Sequence, residues 1–419
     1  MPAALSPGPR CGDLSRVISL DDARAHVHGR LRTLPTASVP LADALGLVAA
    51  SDVTSGELVP PFDNTAVDGF AVRSADVAAA GTELVVVGTV AAGSAGALPV
   101  GPGPAGGIMT GAPVPPGAGA VVMVEDTEGG DGPGGERVRI GTVPTPGGAV
   151  RPAGDDLVPG DVVVAAGTVL TAGHLGLLAT VGRTSVDVVR RPRVGVLSTG
   201  DELVEPGRPL ARGQIRDSNR LALLALCGRS GFDAVDLGLV RDDEAAIEEA
   251  LRRGVEGCDA LLTSGGVSMG DFDYVRSVLA RVGDMRWMQV AVKPAKPFAF
   301  GLVDGVPVFG LPGNPVSSLV SFELFARPGL LRMAGRQQVE RRRVRALADG
   351  DLRRRPDGKA HFVRVAVRQD GDLGFHVASA GAQGSHQMSA MAAADGLAVL
   401  PDGDGVATGE PVEVILLDD

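Results

Sequence analysis

Residues 193–202 read RVGVLSTGDE, residues 260–268 read ALLTSGGVS, and residues 306–317 read VPVFGLPGNPVS. In each segment an apolar run of strand length leads into a glycine-rich loop. Between and after these runs, helical patterns are predicted at Ser218–Arg229, Glu244–Arg253, Phe272–Val282 and Pro315–Phe325. Strands that alternate with helices are typical of a mostly parallel, doubly wound sheet with helices on both faces. Residues 191–333 are therefore predicted to form an α/β domain.

The sequence on either side of this domain has a different character. Residues 15–55 and 149–190 are predicted to form one N-terminal domain, with a second apolar helix near Leu41–Ala50. Residues 56–148 are rich in glycine, proline and valine and contain short strand-like runs, which predicts a β-rich domain inserted into the first. Residues 340–419 again contain short strands separated by turns, which predicts a small β-barrel. The predicted fold class is therefore multidomain α/β.

The composition excludes several classes of protein. The chain has 419 residues, of which 44% are hydrophobic and 21% charged, so it can bury cores and is not a disordered chain. Its net charge of -11 disfavours a nucleic-acid-binding protein, which normally carries a basic surface. No apolar run reaches transmembrane length and no signal-peptide core is present, so we expect a cytoplasmic protein without a membrane partner. Cys11, Cys227 and Cys258 are too far apart to favour a disulfide framework or a structural zinc site.

The three glycine-rich loops predict a ligand-binding crevice. In a doubly wound sheet, ligands bind beyond the carboxyl ends of the strands, where these loops lie. Glycines let backbone N–H groups approach an anion closely. Asn314 is placed as the N-cap of a helix and Pro315 as its first residue, and such a helix start favours phosphate. Ordinary tight turns are the alternative for any single loop, but three in one sheet favour a crevice.

Acidic residues cluster beside the same loops. Asp201 and Glu202 follow the predicted strand Arg193–Ser198, Asp242 and Asp243 follow the predicted strand Ala234–Val240, and Asp271 and Asp273 follow the predicted strand Ala260–Thr263. These carboxylates would repel one another unless a cation lay among them. A Mg²⁺ ion bound by one or two carboxylates and by substrate phosphates would neutralise both kinds of anion. The alternative role for Asp242 and Asp243 is helix capping, and one of the pair can cap the helix while the other points inward.

Two lysines are expected to bring positive charge to the crevice, opposite the acidic residues. Only three of the 39 basic residues are lysines, and Lys293 and Lys296 lie in one tetrapeptide. A crevice with N–H donors, Mg²⁺ and paired lysines suits a phosphoanhydride or an oxyanion. The only Gly-Lys pair, Gly358-Lys359, is followed by alanine, which excludes a P-loop. Residues 266–270 match the G-x-S-x-G pattern of hydrolases, but a Ser-Gly-Gly loop separates them from the strand, which disfavours that interpretation.

Longer motifs make the chain resemble the molybdopterin molybdenumtransferase family (MoeA and the gephyrin E domain). The motifs are PFDNTAVDGFAVR at 61–73, IMTGAPVP at 108–115, RPAGDD at 151–156, STGDEL at 198–203, DSNR at 217–220, TSGGVSMGDFDY at 263–274, KPAKPFAFG at 293–301 and GLPGNPVS at 310–317. They occur in register over about residues 15–400. So many long motifs in order are far more specific than any single glycine-rich loop.

The resemblance implies a reaction, its substrates and its partners. Family members take adenylylated molybdopterin and molybdate, cleave the phosphoanhydride with Mg²⁺ or a similar ion, insert the metal at the dithiolene and release AMP. The expected fold is elongated, with four subdomains. The expected homodimer has an active cleft between the sheet domain of one subunit and the β domain of the other. A molybdopterin adenylyltransferase would supply the substrate, and molybdoenzymes would accept the product.

The resemblance also implies site residues at the matching positions. The expected acidic set is Asp68, Asp156, Glu202, Asp242 and Asp273, with Asp242 and Asp273 at the metal. The expected substrate-binding residues are Thr110, Ser198, Gly265, Gly266, Ser268, Lys293, Lys296, Pro297, Pro312, Gly313 and Asn314. Molybdate is expected to meet Lys293, Lys296, Arg364 of HFVR and Ser385 of QGSH. Asp68 and Thr110 would come from the facing subunit.

The chain departs from the family pattern at three positions. Ala295 stands where glycine is usual, Arg216 where tyrosine is usual, and Asp155 where glutamate is usual. None of these changes removes a charged group of the expected chemistry. Two other functions stay open: a pterin-binding scaffold without turnover, and the adenylyltransferase that resembles the sheet domain alone. The intact acids and lysines favour the first function over the scaffold, and the extra domains disfavour the adenylyltransferase.

Overall fold

The computed structural model describes residues 17–94, 98–129, 136–267, 274–371 and 374–418. The chain divides into two compact units: one comprises residues up to 37, 46–50 and those from 187 onward, and the other comprises residues 38–45 and 51–186. The helices, in chain order, are α1 (Leu20–His28), α2 (Ala172–Thr180), α3 (Asn219–Arg229), α4 (Glu244–Gly257), α5 (Tyr274–Val282), α6 (Pro315–Ser321), α7 (Arg327–Met333) and α8 (Met388–Ala392).

A seven-stranded sheet organises the first unit. In spatial order its strands are Val17–Ile18, Asp284–Val290, Pro297–Val303, Val306–Leu311, Ala260–Ser264, Arg193–Thr199 and Asp233–Val240. The strand Pro297–Val303 pairs antiparallel with both of its neighbours, and the other pairs are parallel. The prediction of a mostly parallel sheet is therefore confirmed, with one antiparallel strand within it.

The two faces of this sheet are covered by different helices. On one face, Leu223 and Cys227 of α3 pack in the same buried cluster as Val194 and Val196 of the sheet. On the other face, α4 and α5 pack on the sheet through Ile247, Leu251, Val275, Val278 and Leu279. Valine and leucine at alternate positions of a buried strand point to opposite faces, so both faces need a cover. The doubly wound arrangement is confirmed.

Proline shapes the helical segment that follows the sheet. The predicted helix Pro315–Phe325 is α-helical only to Ser321; a π-helical turn, Phe322–Ala326, then leads into α7. Pro328 has no N–H, so the carbonyl of Leu324 receives no helical hydrogen bond from it. Arg24 Nε of α1 donates to that carbonyl instead, at 2.9 Å.

The C-terminal strands close into a small β-barrel, as predicted. The strand Ala360–Gln369 pairs with both Phe375–Ser379 and Gly396–Leu400, which closes the ring. The remaining strands are Arg343–Ala348 and Pro411–Leu416, with Val292–Lys293 added at the edge. Short strand pairs in this unit are Leu203–Val204 with Ile215–Arg216, Leu352–Arg353 with Gly405–Val406, and Val48–Ala49 with the end of Ser185–Val189.

The second unit is rich in strands. Its six-stranded sheet has the order Thr127–Gly129, Arg137–Ile140, Thr82–Val90, Pro104–Ile108, Gly69–Val72 and Ala120–Met123. Two short pairs, Asn64–Thr65 with Val150–Arg151 and Val53–Thr54 with Val162–Val164, belong to the same unit. The strand Thr36–Pro40 completes the strands of the described residues. The predicted domain boundaries stay predictions.

The predicted second helix near Leu41–Ala50 is wrong. The segment forms a three-residue 3-10 turn, Leu41–Asp43, and then a short strand, Val48–Ala49. Gly46 has a φ of +76°, a left-handed conformation that ends a helix and that glycine adopts at little cost. The apolar spacing indicated a helix, but Gly46 breaks it.

Candidate functional site

A cleft of about 800 Å³ lies at the carboxyl ends of the parallel strands. It gathers residues that the sequence placed in one site: Glu202, Asp242, Gly265, Gly266, Pro297, Pro312, Gly313 and Asn314. Ser198 is buried beside the cleft instead of lining it, and its hydroxyl donates to Asp217. The crevice expected from the three loops is thus present as a cavity within the first unit.

The glycine-rich loops come into contact in this cleft. Gly265 N–H donates to the Leu311 carbonyl at 3.0 Å, which joins the second loop to the third. Gly265 and Gly266 have φ of +98° and +75°, and a Cβ at Gly266 would lie 2.2 Å from Cβ of Val275. Only glycine fits there, because any side chain would collide with α5. These glycines therefore let the backbone itself form the floor of the cleft.

The helix start at Asn314 differs in part from expectation. Asn314 is the N-cap and Pro315 the first residue of α6, as predicted, but the Asn314 side chain makes no capping hydrogen bond. The Val316 N–H donates to the Ser385 carbonyl at 3.0 Å, so this donor holds another loop and is not left for a ligand. That loop adds His386 and Met388 to the cleft wall, which the sequence reasoning did not predict.

Two neighbouring acidic residues have different roles. Asp243 Oδ1 accepts from Ala246 N–H at 2.8 Å and caps α4, whereas Asp242 lines the cleft. Asp242 and Asp201 exchange hydrogen bonds, each carboxylate accepting the other's N–H at 3.3 Å. Burial first, and then the negative charges of Asp201 and Glu202, raise the pKa of Asp242 above its usual range. The prediction that one acid caps and the other points inward describes this arrangement.

The chemistry of these carboxylates fits a hard cation. Carboxylate oxygens are what Mg²⁺ prefers, and a cation beside Asp242 would relieve the repulsion that raises its pKa. No cluster of three or more metal-ligating side chains is formed by the residues in the described ranges. Asp273, the expected second metal ligand, and Ser268 lie outside the described residues.

A largely buried polar network, which was not predicted from the sequence, forms part of the cleft wall through Asp217, Asn219, Ser264 and Gly313. Asn219 Nδ2 donates to Ser264 Oγ at 2.9 Å and to the Gly313 carbonyl at 2.7 Å. Asp217, which is 2% exposed, accepts from Arg220 Nε at 2.9 Å and from Ser198 Oγ at 3.1 Å. A usable signal was present, because Asn219 is one of only three asparagines in the chain.

The two candidate lysines lie outside the cleft wall. Lys293 ends a short strand and is opposite His361 of the barrel, and both Lys293 and Lys296 are exposed. Neither forms an ion pair with a residue in the described part of the chain, whereas Lys359 pairs with Asp357 at 2.9 Å. Two exposed lysines without a carboxylate partner among the described residues can attract an anion.

Ala295, between these lysines, has a left-handed backbone. Its φ is +76° and it is 2% exposed. An L-residue with a side chain adopts this conformation at a cost of about 1–2 kcal/mol, and glycine does not. The usual glycine of the family therefore has a structural reason, and this chain keeps the same turn with alanine.

Arg364 is a buried guanidinium that supports the Ser385 loop. It is 1% exposed, and its Nη2 donates to the carbonyls of Ala382 and Gly384 at 3.0 and 3.1 Å. Its Nε is buried and has no hydrogen-bond partner among the described residues, and burial lowers the pKa of Arg364. Ser385 follows Gly384 directly, so Arg364, from its strand Ala360–Gln369, supports the loop that carries Ser385.

The second unit holds the other predicted acids. Asp68 Oδ1 accepts from both the N–H and the hydroxyl of Thr110, at 2.6 and 2.8 Å. These two hydrogen bonds, the N–H first, lower the pKa of Asp68 below its usual range. Asp156 is exposed, and its N–H donates to the Val59 carbonyl at 2.8 Å. Asp68 and Thr110 thus form a pair, and Asp156 is a separate exposed carboxylate.

Three protein families match successive parts of the chain. Residues 18–182 match the MoeA N-terminal region (domain I and II), residues 195–332 match a probable molybdopterin binding domain, and residues 350–417 match the MoeA C-terminal region (domain IV). No helix of the described ranges is both long enough and apolar enough to span a membrane.

Full-length relatives share these parts in one chain. Molybdopterin molybdenumtransferase 1 of Mycobacterium tuberculosis is 36% identical, with 95% of this chain and 99% of the relative covered. Molybdopterin molybdenumtransferase of Haemophilus influenzae is 38% identical, with 95% and 98% covered. A crystal structure of the molybdopterin biosynthesis MoeA protein from Pyrococcus horikoshii is 33% identical, with a TM-score of 0.80 over 96% of this chain and 99% of that one. The chain therefore belongs to the molybdopterin molybdenumtransferase family.

Proposed function

We propose that this chain is a molybdopterin molybdenumtransferase. It takes adenylylated molybdopterin and molybdate, cleaves the phosphoanhydride, inserts molybdenum at the dithiolene and releases AMP, which yields the molybdenum cofactor. The observation that carries the proposal is the strand-end cleft, in which glycine-rich loops and acidic side chains from separate motifs line one cavity. The relatives that match this chain from end to end bear the same activity in their names.

The cleft suits the anionic part of such a substrate. Gly266 and Gly313 expose backbone to the cavity, where their N–H groups can approach phosphate oxygens without a side chain in the way. The Gly265 N–H is committed to the Leu311 carbonyl. Arg216 also lines the cavity and adds positive charge at the position where the family usually has tyrosine. Pro297 and Pro312 stiffen the walls, so the loops lose little freedom when a ligand binds.

Asp242, with Asp273 from outside the described residues, is the group that would hold Mg²⁺, and Glu202 adds a further carboxylate to the same cavity. Bound there, the ion would neutralise negative charge on the phosphoanhydride as it is cleaved. The contribution of Asp242 itself is an ionised carboxylate facing the cavity, which a cation favours over the protonated form. Asp243 takes no part, since its carboxylate is committed to the start of α4.

Molybdate binding is assigned to Lys293, Lys296, Arg364 and Ser385. The two lysines are exposed and without a carboxylate partner among the described residues, so they can pair with a dianion. Arg364 holds the loop that carries Ser385 through two carbonyl groups, and its remaining charge is not neutralised by any described carboxylate. This arrangement supplies a positive potential beside a hydroxyl that can donate to an oxyanion.

Asp68, Thr110 and Asp156 are assigned to the same reaction from a facing subunit of a homodimer. The low pKa of Asp68 keeps its carboxylate ionised, and the Thr110 hydroxyl fixes its orientation. A molybdopterin adenylyltransferase is the proposed donor of substrate, molybdoenzymes are the proposed acceptors of product, and the cytoplasm is the proposed location.

The proposal is tested with purified protein, adenylylated molybdopterin, Mg²⁺ and molybdate. We expect release of AMP that depends on both molybdate and Mg²⁺. A pterin-binding scaffold would bind the substrate without releasing AMP. An adenylyltransferase would instead form adenylylated molybdopterin from molybdopterin and ATP.

A further inference from the structure

Asn219 joins two loops that are distant in the sequence. Its Nδ2 donates to Ser264 Oγ, 45 residues away, and to the Gly313 carbonyl, 94 residues away. The residue lies in the first turn of α3 and is 8% exposed. Both hydrogens of the amide are thus committed to the two loops that form the floor of the cleft.

The two partners lie at opposite kinds of loop end: Ser264 is where one loop leaves the sheet, and Gly313 is where the other loop enters α6. Ser264 is the last residue of its strand and directly precedes Gly265. Gly313 precedes Asn314, the N-cap of α6. The loops already share one backbone hydrogen bond, from Gly265 N–H to the Leu311 carbonyl. Asn219 adds a side-chain link on the α3 side, so the separation of the loops is fixed at more than one point.

The position of Asn219 is itself firmly held by the adjacent residue. Arg220 is 8% exposed and donates from its Nε to Asp217 at 2.9 Å. The same guanidinium donates to Glu205 at 2.6 Å and pairs with Asp236. A side chain anchored in this way cannot rotate freely, which keeps the start of α3 rigid. The backbone of Asn219 is therefore held in a fixed position.

We propose that Asn219 is a positioning residue that holds the Ser264 and Gly313 loops at the spacing needed for the anionic part of the substrate. This set of contacts, Asn219 with Ser264 and Gly313, is called the Asn219 clamp. The inference rests on the proposed function for the identity of that substrate. The Asn219 clamp itself is a property of the free protein and does not depend on the proposed function.

Hydrogen exchange of the free protein tests the clamp directly. Asn219→Ala removes both hydrogen bonds, and Ser264→Ala removes one of them. We expect faster exchange in peptides that span residues 260–267 and 306–315, larger in the first variant than in the second. Cys227→Ala is the matched control, because Cys227 lies in the same helix, is fully buried and touches neither loop hydrogen bond. Unchanged exchange in both loops of Asn219→Ala and Ser264→Ala overturns the clamp.

Steady-state kinetics of AMP release test its role. Asn219→Ala should raise KM for adenylylated molybdopterin about tenfold, because both hydrogen bonds that fix the loop spacing are lost, while kcat changes less. Asn219→Asp keeps the size but sets a carboxylate against the Gly313 carbonyl, so its KM should rise at least as much. Ser264→Ala should show a smaller rise, and Cys227→Ala none.

The two proposals fail in different ways. If the unaltered protein releases no AMP, the proposed function fails, and hydrogen exchange still decides the clamp. If the unaltered protein releases AMP and the Asn219 variants share the KM of Cys227→Ala, the positioning role fails while the proposed function stands.

Discussion

Replacing Asp242 by asparagine separates a functional carboxylate from a structural one. Asp242 lines the cleft, and its side chain accepts the N–H of Asp201 at 3.3 Å. An asparagine side-chain oxygen can accept the same N–H, so this hydrogen bond survives the substitution. Only the negative charge is lost. The substitution therefore removes the proposed metal ligand and leaves the local structure in place.

The sign of the stability change follows from the pKa of Asp242. Burial and the charges of Asp201 and Glu202 raise that pKa in the folded protein. The stability linked to protonated Asp242 is present at low pH and is lost as the pH rises through the folded-state pKa. At neutral pH the ionised carboxylate thus opposes folding. Since the group is only partly buried, solvent screening limits the effect, and Asp242→Asn should raise the free energy of unfolding by about 0–1 kcal/mol.

The effect on activity has the opposite sign. Loss of one metal ligand removes charge stabilisation in the transition state on the order of 3 kcal/mol, which corresponds to about a hundredfold lower kcat/KM. The assay measures AMP release over a range of Mg²⁺ concentrations, together with denaturant unfolding in Mg²⁺-free buffer. Asp273→Asn is predicted to lose AMP release in the same way while still binding the pterin.

Asp243→Asn is the matched control for Asp242→Asn. Asp243 is the next residue, its Oδ1 caps α4, and asparagine is an equally good N-cap. Activity and stability should both stay close to those of the unaltered protein. Full turnover of Asp242→Asn at saturating Mg²⁺, or a loss of stability larger than that of Asp243→Asn, would refute the reasoning.

Three further predictions concern the oxyanion site and the Asp68 pair. Lys293→Ala and Lys296→Ala should each raise the molybdate concentration needed for AMP release about ten- to a hundredfold, with Lys359→Ala as control; superimposable molybdate titrations would exclude the pair from the site. Lys293→Arg should not restore the response fully, because a planar fork cannot replace a compact ammonium. Thr110→Val should raise the pKa of Asp68 toward its ordinary value and shift the acid limb of the pH–activity profile to higher pH, since one of the two hydrogen bonds that lower this pKa is lost; an unmoved limb contradicts this. Arg364→Lys should lower the free energy of unfolding by about 1–3 kcal/mol, measured by denaturant titration, because the shorter contact cannot reach both the Ala382 and Gly384 carbonyls; unchanged stability contradicts this.

Local pattern was enough to predict the sheet and much of the cleft. The strand–loop–helix repeats of the sheet have strong short-range signals, and Asn314-Pro315 marks a helix start by its own chemistry. The position of α4 in the sequence also predicted that one of Asp242 and Asp243 caps the helix, and the structure identifies Asp243 as that cap. Such features can be predicted because they depend on residues only a few positions away in the sequence.

Features that depend on distant partners could not be predicted in the same way. The Asn219 clamp needs residues 45 and 94 positions away, and no spacing rule predicts such contacts. The burial of Arg364 follows from which face of its barrel strand points inward, which is set by closure of the ring. The failed helix near Leu41–Ala50 shows the limit of periodicity, because one glycine at φ +76° overrode it.

The most direct test is to measure AMP and pterin-bound molybdenum together in one reaction of the purified protein. Adenylylated molybdopterin, Mg²⁺ and molybdate are supplied, and both products are followed in time for the unaltered chain and for Asp242→Asn. The proposed function predicts equal amounts of AMP and molybdenum-loaded pterin from the unaltered chain, and a strong loss of both from the variant. Bound substrate with no AMP, or AMP formed without molybdenum on the pterin, would contradict it.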